Sequence, residues 1–192
     1  MSLTVSVIYG SVRTNRQGIK AAKYLLKKLN ERGNETIFID PLEYKLPLLD
    51  KMYKEFPKGK APEKLEDLAQ KFRDSDGFLV VSGEYNHGVP PALKNVIDHF
   101  QVEYFFKPSA IASYSAGRYG GVRAAVQLRS ILGELGMPAI SSALAFPAVR
   151  DSFSDEGEPQ QDYIDRSTKR FLDEFAWYMT ALKNQRKEGV PF

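Results

Sequence analysis

The stretch GSVRTNRQG (residues 10–18) sets Arg13 and Arg16 between an apolar run and an amphipathic one, with no acid among its nine residues. Ser11, Thr14 and Asn15 add neutral donors beside the two guanidiniums. A turn that feeds a helix offers free backbone N–H groups, and these attract an anion. Phosphate binding is one chemistry for such a turn. It reads equally as a capped turn with two surface arginines. Its spacing is neither the G-x-x-x-x-G-K-[ST] of a nucleoside triphosphate loop nor the G-x-G-x-x-G of a dinucleotide fold.

Two further turns carry chemistry. SGEYNHGVPPALKNVIDHF (residues 82–100) places Gly83, Glu84, Tyr85, Asn86 and His87 together. Gly83 lets a backbone approach a ligand closely. Tyr85 offers a ring for a flat ligand, or a surface plug. Pro90 and Pro91 stiffen the start of the helix that follows. His87 reads as an ordinary loop histidine, because the second histidine, His99, lies mid-helix without ligand spacing. SYSAGRYGGVRAA (residues 113–125) supplies Ser115, Gly117, Gly120 and Gly121. These make a small rim of backbone N–H groups for a planar ligand, or simply a tight turn before a helix.

The elements that must position these turns alternate between strand and helix. Leu3–Tyr9 is apolar and β-branched without strict alternation, which suits a strand buried on both faces. Ile19, Ala22, Leu25, Leu26 and Leu29 recur at helical spacing. Strands are expected at 36–40, 77–82, 109–115 and 139–146. Helices are expected at 62–76, 91–103, 119–135 and 161–182. Residues 41–62, with four prolines and many lysines, read as a long surface loop. Residues 1–182 form one domain and 183–192 a frayed tail. A repeated βα order with right-handed crossovers gives a doubly wound, three-layer α/β sandwich. Ligands in such sheets bind outside the C-terminal ends of the strands, which is where all three turns fall.

Composition narrows the classes. The chain of 192 residues has 43% hydrophobic and 27% charged residues, which is ordinary for a globular domain. There is no cysteine, which excludes disulfides, thiolate metal sites and cysteine nucleophiles. A net charge of +3 gives no basis for nucleic-acid binding. No apolar run approaches the ~20 residues of a membrane span. The first strand begins at once, leaving no room for a signal peptide, so the expected location is cytoplasmic.

A phosphate at one end and a flat heteroaromatic ring at the other describe flavin mononucleotide. GSVRTNRQG, GEYNHGVPPALKNVID and SYSAGRYGG resemble the three flavin loops of the NADPH-dependent FMN reductases, a flavodoxin-like family of small quinone, azo and chromate reductases. The resemblance covers residues 3–182. It departs in having Gly83 where the family commonly has proline, and in lacking a serine near Asn15. It implies a five-stranded parallel sheet in the order 2-1-3-4-5. It also implies that Ser11, Arg13, Asn15, Arg16 and Gln17 hold the FMN phosphate. Gly83, Glu84, Tyr85 and Asn86 would flank the ring. Ser115, Gly117 and Gly120 would face its pyrimidine edge, where backbone N–H groups stabilise the negative charge of reduced flavin.

The implied activity is ping-pong hydride transfer from NADPH or NADH through FMN, with no catalytic side chain. Its acceptors would be quinones, azo compounds, chromate or ferric chelates. The alternative is a non-enzymatic flavin protein, an electron carrier or redox sensor. The basic stretch Lys51–Lys64 is a candidate for the adenosine 2′-phosphate of NADPH, or a solvated loop. On the helix after the second turn, Leu93, Val96, Ile97, Phe100 and Tyr104 form the core stripe. Val102, Phe105 and Phe106 fall off it: Phe105 and Phe106 either turn back into the core before Pro108 or, as the resemblance implies, belong to the interface of a homodimer or dimer of dimers whose second subunit walls the site.

Overall fold

The structure, a computed structural model, describes residues 2–192. Five parallel strands, β1 (Thr4–Tyr9), β2 (Glu35–Ile39), β3 (Gly77–Gly83), β4 (Ser109–Tyr114) and β5 (Ala139–Phe146), pair in the order β2-β1-β3-β4-β5. That is the flavodoxin-like order expected. Alternate side chains enter different layers: Val5, Val7 and Tyr9 pack on one face, Ile8 on the other. This explains why the strands read as continuous apolar runs rather than alternating ones.

Helices cover both faces. α1 (Ile19–Glu31) and α7 (Asp162–Lys187) bury Leu25, Leu29, Phe171 and Phe175 on the Val5–Val7 face. α3 (Glu63–Asp74), α4 (Pro91–Asp98) and α5 (Val122–Glu134) bury Leu68, Phe72, Leu93, Ile97 and Leu128 on the other. The strand order turns back beside β1, so the chain leaves β1 and β3 in opposite directions and opens a crevice between their C-terminal ends.

The three largest differences from expectation are these. The helix expected at 91–103 ends at Asp98, and Val102–Tyr104 form a separate 3-10 turn. The loop at 41–62 contains α2 (Pro41–Tyr44), started by Asp40, whose carboxylate accepts from the Leu42 amide. Residues 183–187 are not a frayed tail. α7 continues through them because Lys183 Nζ and Arg186 Nη2 reach Asp76 at 2.6 and 3.1 Å. Phe192 also packs on Phe105 and Phe106, with ring centroids 5.5 and 5.0 Å away.

Candidate active site

A cavity of about 160 Å³ lies at the crevice, walled by all three turns. The first contributes Ser11, Arg13, Asn15, Arg16, Gln17 and Gly18, the second Gly83, Glu84 and Tyr85, and the third Ser115 and Ala116. Tyr114 and Val149, the latter opening the four-residue helix α6 (Val149–Ser152), complete it. The turns are pinned to one another. Ser11 Oγ and Tyr85 Oη are 3.0 Å apart, and the Val149 amide donates to the Ser115 carbonyl at 3.0 Å.

Charge in the first turn is unequally shared. Both terminal nitrogens of Arg16 bind Asp40 at 2.6 Å, and Nη1 also donates to the Ser11 carbonyl. Its guanidinium lies 5.3 Å from the Tyr9 ring centre. The hydrogen bonds to Asp40 hold its pKa above the usual arginine value, so this charge is permanent and matched. Arg13 is exposed and, among the described residues, forms no ion pair. α1 has no acid in its first turn. The wall therefore presents one free cation and a helix N-terminus, a donor set that suits a phosphate.

Glu84 lines the cavity, but its carboxylate is bound to the third turn and the helix after it. Its carboxylate accepts from the Arg123 and Ala124 amides at 3.0 and 3.4 Å and from Arg123 Nη1 at 3.2 Å. It caps α5 from another turn, because Gly121, the residue before that helix, has no side chain to do so. Asn86 and His87 stand at φ 48° and 68°, and paired hydrogen bonds join Tyr85 and Gly88. These are the dihedral signs of a type I′ turn, where Asn is favoured. The turn aims Tyr85 inward and leaves Asn86 and His87 exposed.

Beneath the cavity the rings of Tyr9 and Tyr114 stack at 6.2 Å, with their hydroxyls 3.3 Å apart. Burial raises both phenol pKa values, so both stay neutral. A Cβ added at Gly18 would fall 2.0 Å from the Tyr114 ring, so glycine is what lets that ring lie under the first turn.

Residues 3–151 match the family described as NADPH-dependent FMN reductase. A quinone reductase of Pseudomonas putida is 31% identical over 186 residues, covering 90% of this chain and 92% of its own. The chain belongs to the NADPH-dependent FMN reductase family. It is thus an oxidoreductase with FMN as cofactor and NAD(P)H as electron donor. Among solved structures, the flavoenzyme NAD(P)H:(acceptor) oxidoreductase FerB of Paracoccus denitrificans superposes with a TM-score of 0.75 at 24% identity, covering 93% of this chain and 98% of its own. A flavodoxin of Pseudomonas aeruginosa gives 0.57 at 18% identity, covering 93% and 99%. These two bear on the fold alone.

Of the flavin-loop residues of the family, Ser11, Arg13, Asn15, Arg16, Gln17, Gly83, Glu84, Tyr85 and Ser115 line the cavity. Asn86, Gly117 and Gly120 do not. Gly120 is buried at φ 60°, where a Cβ would meet Ala145 and Phe146 at 3.0–3.1 Å, and its carbonyl accepts from Ser113 Oγ. It is a tight turn packed on β5 rather than a rim. Gly117 is open, with nothing within 4 Å of an added Cβ. Sequence reading missed Gly18, Tyr114, Ala116 and Val149. Tyr114 ends a strand in an apolar run, and no local signal says that its ring turns under a neighbouring turn.

The basic stretch Lys51–Lys64 lies elsewhere. The Tyr53 amide donates to the His99 carbonyl and Lys54 to Gln101, at the end of α4 away from the cavity, while Lys64 is bound to the carbonyls of Glu43 and Tyr44. Phe105 and Phe106 precede the N-terminal end of β4 and so sit at the opposite end of the sheet from the site. Among the described residues no helix is long and apolar enough to cross a membrane, and no cluster of His, Asp and Glu could hold a metal.

Proposed function

We propose that this oxidoreductase reduces quinones by two electrons, with donor and acceptor taking turns at one shared site. The observation that carries the reading is the cavity at the β1/β3 switch point, walled by three turns and holding one unpaired guanidinium. At about 160 Å³ it falls short of a whole small-molecule pocket of ~300–1,000 Å³. A cavity of this size would take the phosphate end of FMN, and the ring would then lie at its mouth, open to one planar partner at a time. Held there by the first turn, FMN would supply hydride chemistry between NAD(P)H and a quinone: two electrons and one proton would pass as hydride and the quinone's second proton would come from solvent.

The chain's residues bind and orient. Arg13, Ser11, Asn15 and Gln17, with the start of α1, hold the phosphate. Arg16, tied to Asp40, positions the turn. Tyr85 flanks the ring, and Glu84 fixes the second turn to the third so that Ser115 faces the ring's edge. Azo compounds, chromate and ferric chelates are further acceptors for so open a site. Work in the cytoplasm accords with a cysteine-free chain using NAD(P)H.

A homodimer, or dimer of dimers, through α4 completes the reading. Its support is not the Phe105–Phe106 end but an apolar groove of about 560 Å³ beside the first turn, lined by Val12, Leu42, Leu48, Pro91 and Ala92. Leu48 is 84% exposed there. A second copy seated on α4 covers these side chains and walls the site.

Steady-state oxidation of NADPH at several quinone concentrations tests the shared site. Parallel double-reciprocal lines are expected. Intersecting lines would mean simultaneous binding and overturn it.

A further inference from the structure

The third turn carries a cluster that the flavin loops leave unused. Arg118 and Arg123 place their guanidinium carbons 4.9 and 4.6 Å from the centre of the Tyr119 ring. Arg118 Nη2 also donates to Tyr119 Oη at 2.8 Å. The ring is 49% exposed, so the assembly faces solvent. Two like charges are thus held closer than one Debye length, ~10 Å at 0.1 M salt. The aromatic ring that both approach offsets part of their repulsion and orients both side chains in advance of any ligand. Among the described residues one carboxylate answers them. Glu84 pairs with Arg123 but spends its oxygens on two amides as well. Among the described residues Arg118 has no acidic partner.

We propose that Arg118, with Arg123 and Tyr119, forms the subsite for the adenosine 2′-phosphate of NADPH and sets the preference for NADPH over NADH. This rests on the donor using the site described above. A phosphate monoester carries about −1.5 to −2 charge near neutral pH, and a guanidinium matches its oxygens two at a time. Placement agrees. Ser115 and Ala116 wall the cavity, and Arg118 follows them by two or three residues, a reach of at most about 11 Å at ~3.3–3.6 Å per residue. A donor whose nicotinamide lay over the site would bring its adenosine end within reach of that rim. The other cationic stretch, Lys51–Lys64, is at the far end of α4 and does not reach it.

The experiment compares wild type with Arg118→Ala and Arg118→Lys in the FMN-loaded protein. kcat/KM is measured for NADPH and NADH with one quinone. 2′,5′-ADP and 5′-AMP are titrated calorimetrically as probes without redox chemistry. The expected result is a loss of about tenfold or more in kcat/KM for NADPH, carried by KM, with NADH changed less than twofold. 2′,5′-ADP should weaken by a similar factor in Arg118→Ala and by less in Arg118→Lys, with 5′-AMP unaffected. Equal effects on both donors, or 2′,5′-ADP binding that ignores Arg118, would overturn the assignment while leaving the reductase reading intact. Absence of turnover with either donor would instead defeat the reductase reading, and the titrations would still decide the subsite.

Discussion

Asp40→Asn separates the two roles of a residue that holds the first turn in place. Asp40 is buried, 4% exposed, and binds both terminal nitrogens of Arg16 at 2.6 Å while capping α2 through the Leu42 amide. Asparagine caps about as well as aspartate, so the variant keeps the cap and loses the ion pair. Breaking a buried pair from one side costs about 3–5 kcal/mol, because a charge is left uncompensated. Here Arg16 is 19% exposed and keeps its contacts to the Ser11 carbonyl and the Tyr9 ring, which lowers the cost to about 2–3 kcal/mol. For a chain of this size each kcal/mol moves Tm by about 2–4 °C, so a fall of roughly 5–10 °C is expected in differential scanning calorimetry. Asp40→Ala should lose about 1 kcal/mol more with the cap. A fall in Tm under about 2 °C for Asp40→Asn would refute the strut. So would an Arg16→Met variant that loses FMN selectively over riboflavin, since that would make Arg16 a phosphate ligand.

Gly18→Ala should push the Tyr114 ring into the cavity, since the new Cβ would lie 2.0 Å from it; FMN binding measured by fluorescence quenching should drop at least about tenfold, while unchanged binding would mean the ring moves elsewhere. Glu84→Gln removes the charge that caps α5 and should cost about 1–2 kcal/mol in urea denaturation; no loss would show that the capping is dispensable. Lys107 donates to the Phe72 and Arg73 carbonyls, and burial lowers its pKa from 10.5 to about 8. Below about 8 both folded and unfolded chains are protonated there, and the full cost of the buried ammonium is present. Between about 8 and 10.5 only the folded chain sheds the proton, so wild type should gain up to about 3 kcal/mol relative to Lys107→Met. A difference that does not vary with pH across that window would contradict this.

The βα order and the convergence of three turns on one crevice were legible because each signal is local. Apolar β-branched runs stop at glycine- and proline-rich turns, and Gly33, Gly136 and Pro138 mark helix ends. What escaped rests on partners far apart in sequence. α7 continues to Lys187 because Lys183 and Arg186 meet Asp76, more than 100 residues away. Arg16 looks like a free cation until β2 delivers Asp40 beside it. Glu84 looks like a ring contact until α5 presents two bare amides to it. α2 is different. Asp40 followed by Pro41 is a helix-start signal that could have been read, but four residues were masked by the prolines and lysines around them.

The most direct measurement of the account is the affinity of wild type and Arg13→Ala for FMN and for riboflavin, which lacks the phosphate. One charge-assisted hydrogen bond is worth about 1.5–3 kcal/mol. FMN should therefore weaken at least about tenfold in Arg13→Ala, with riboflavin unchanged. Equal losses for the two flavins, or none, would place the phosphate elsewhere and contradict the site.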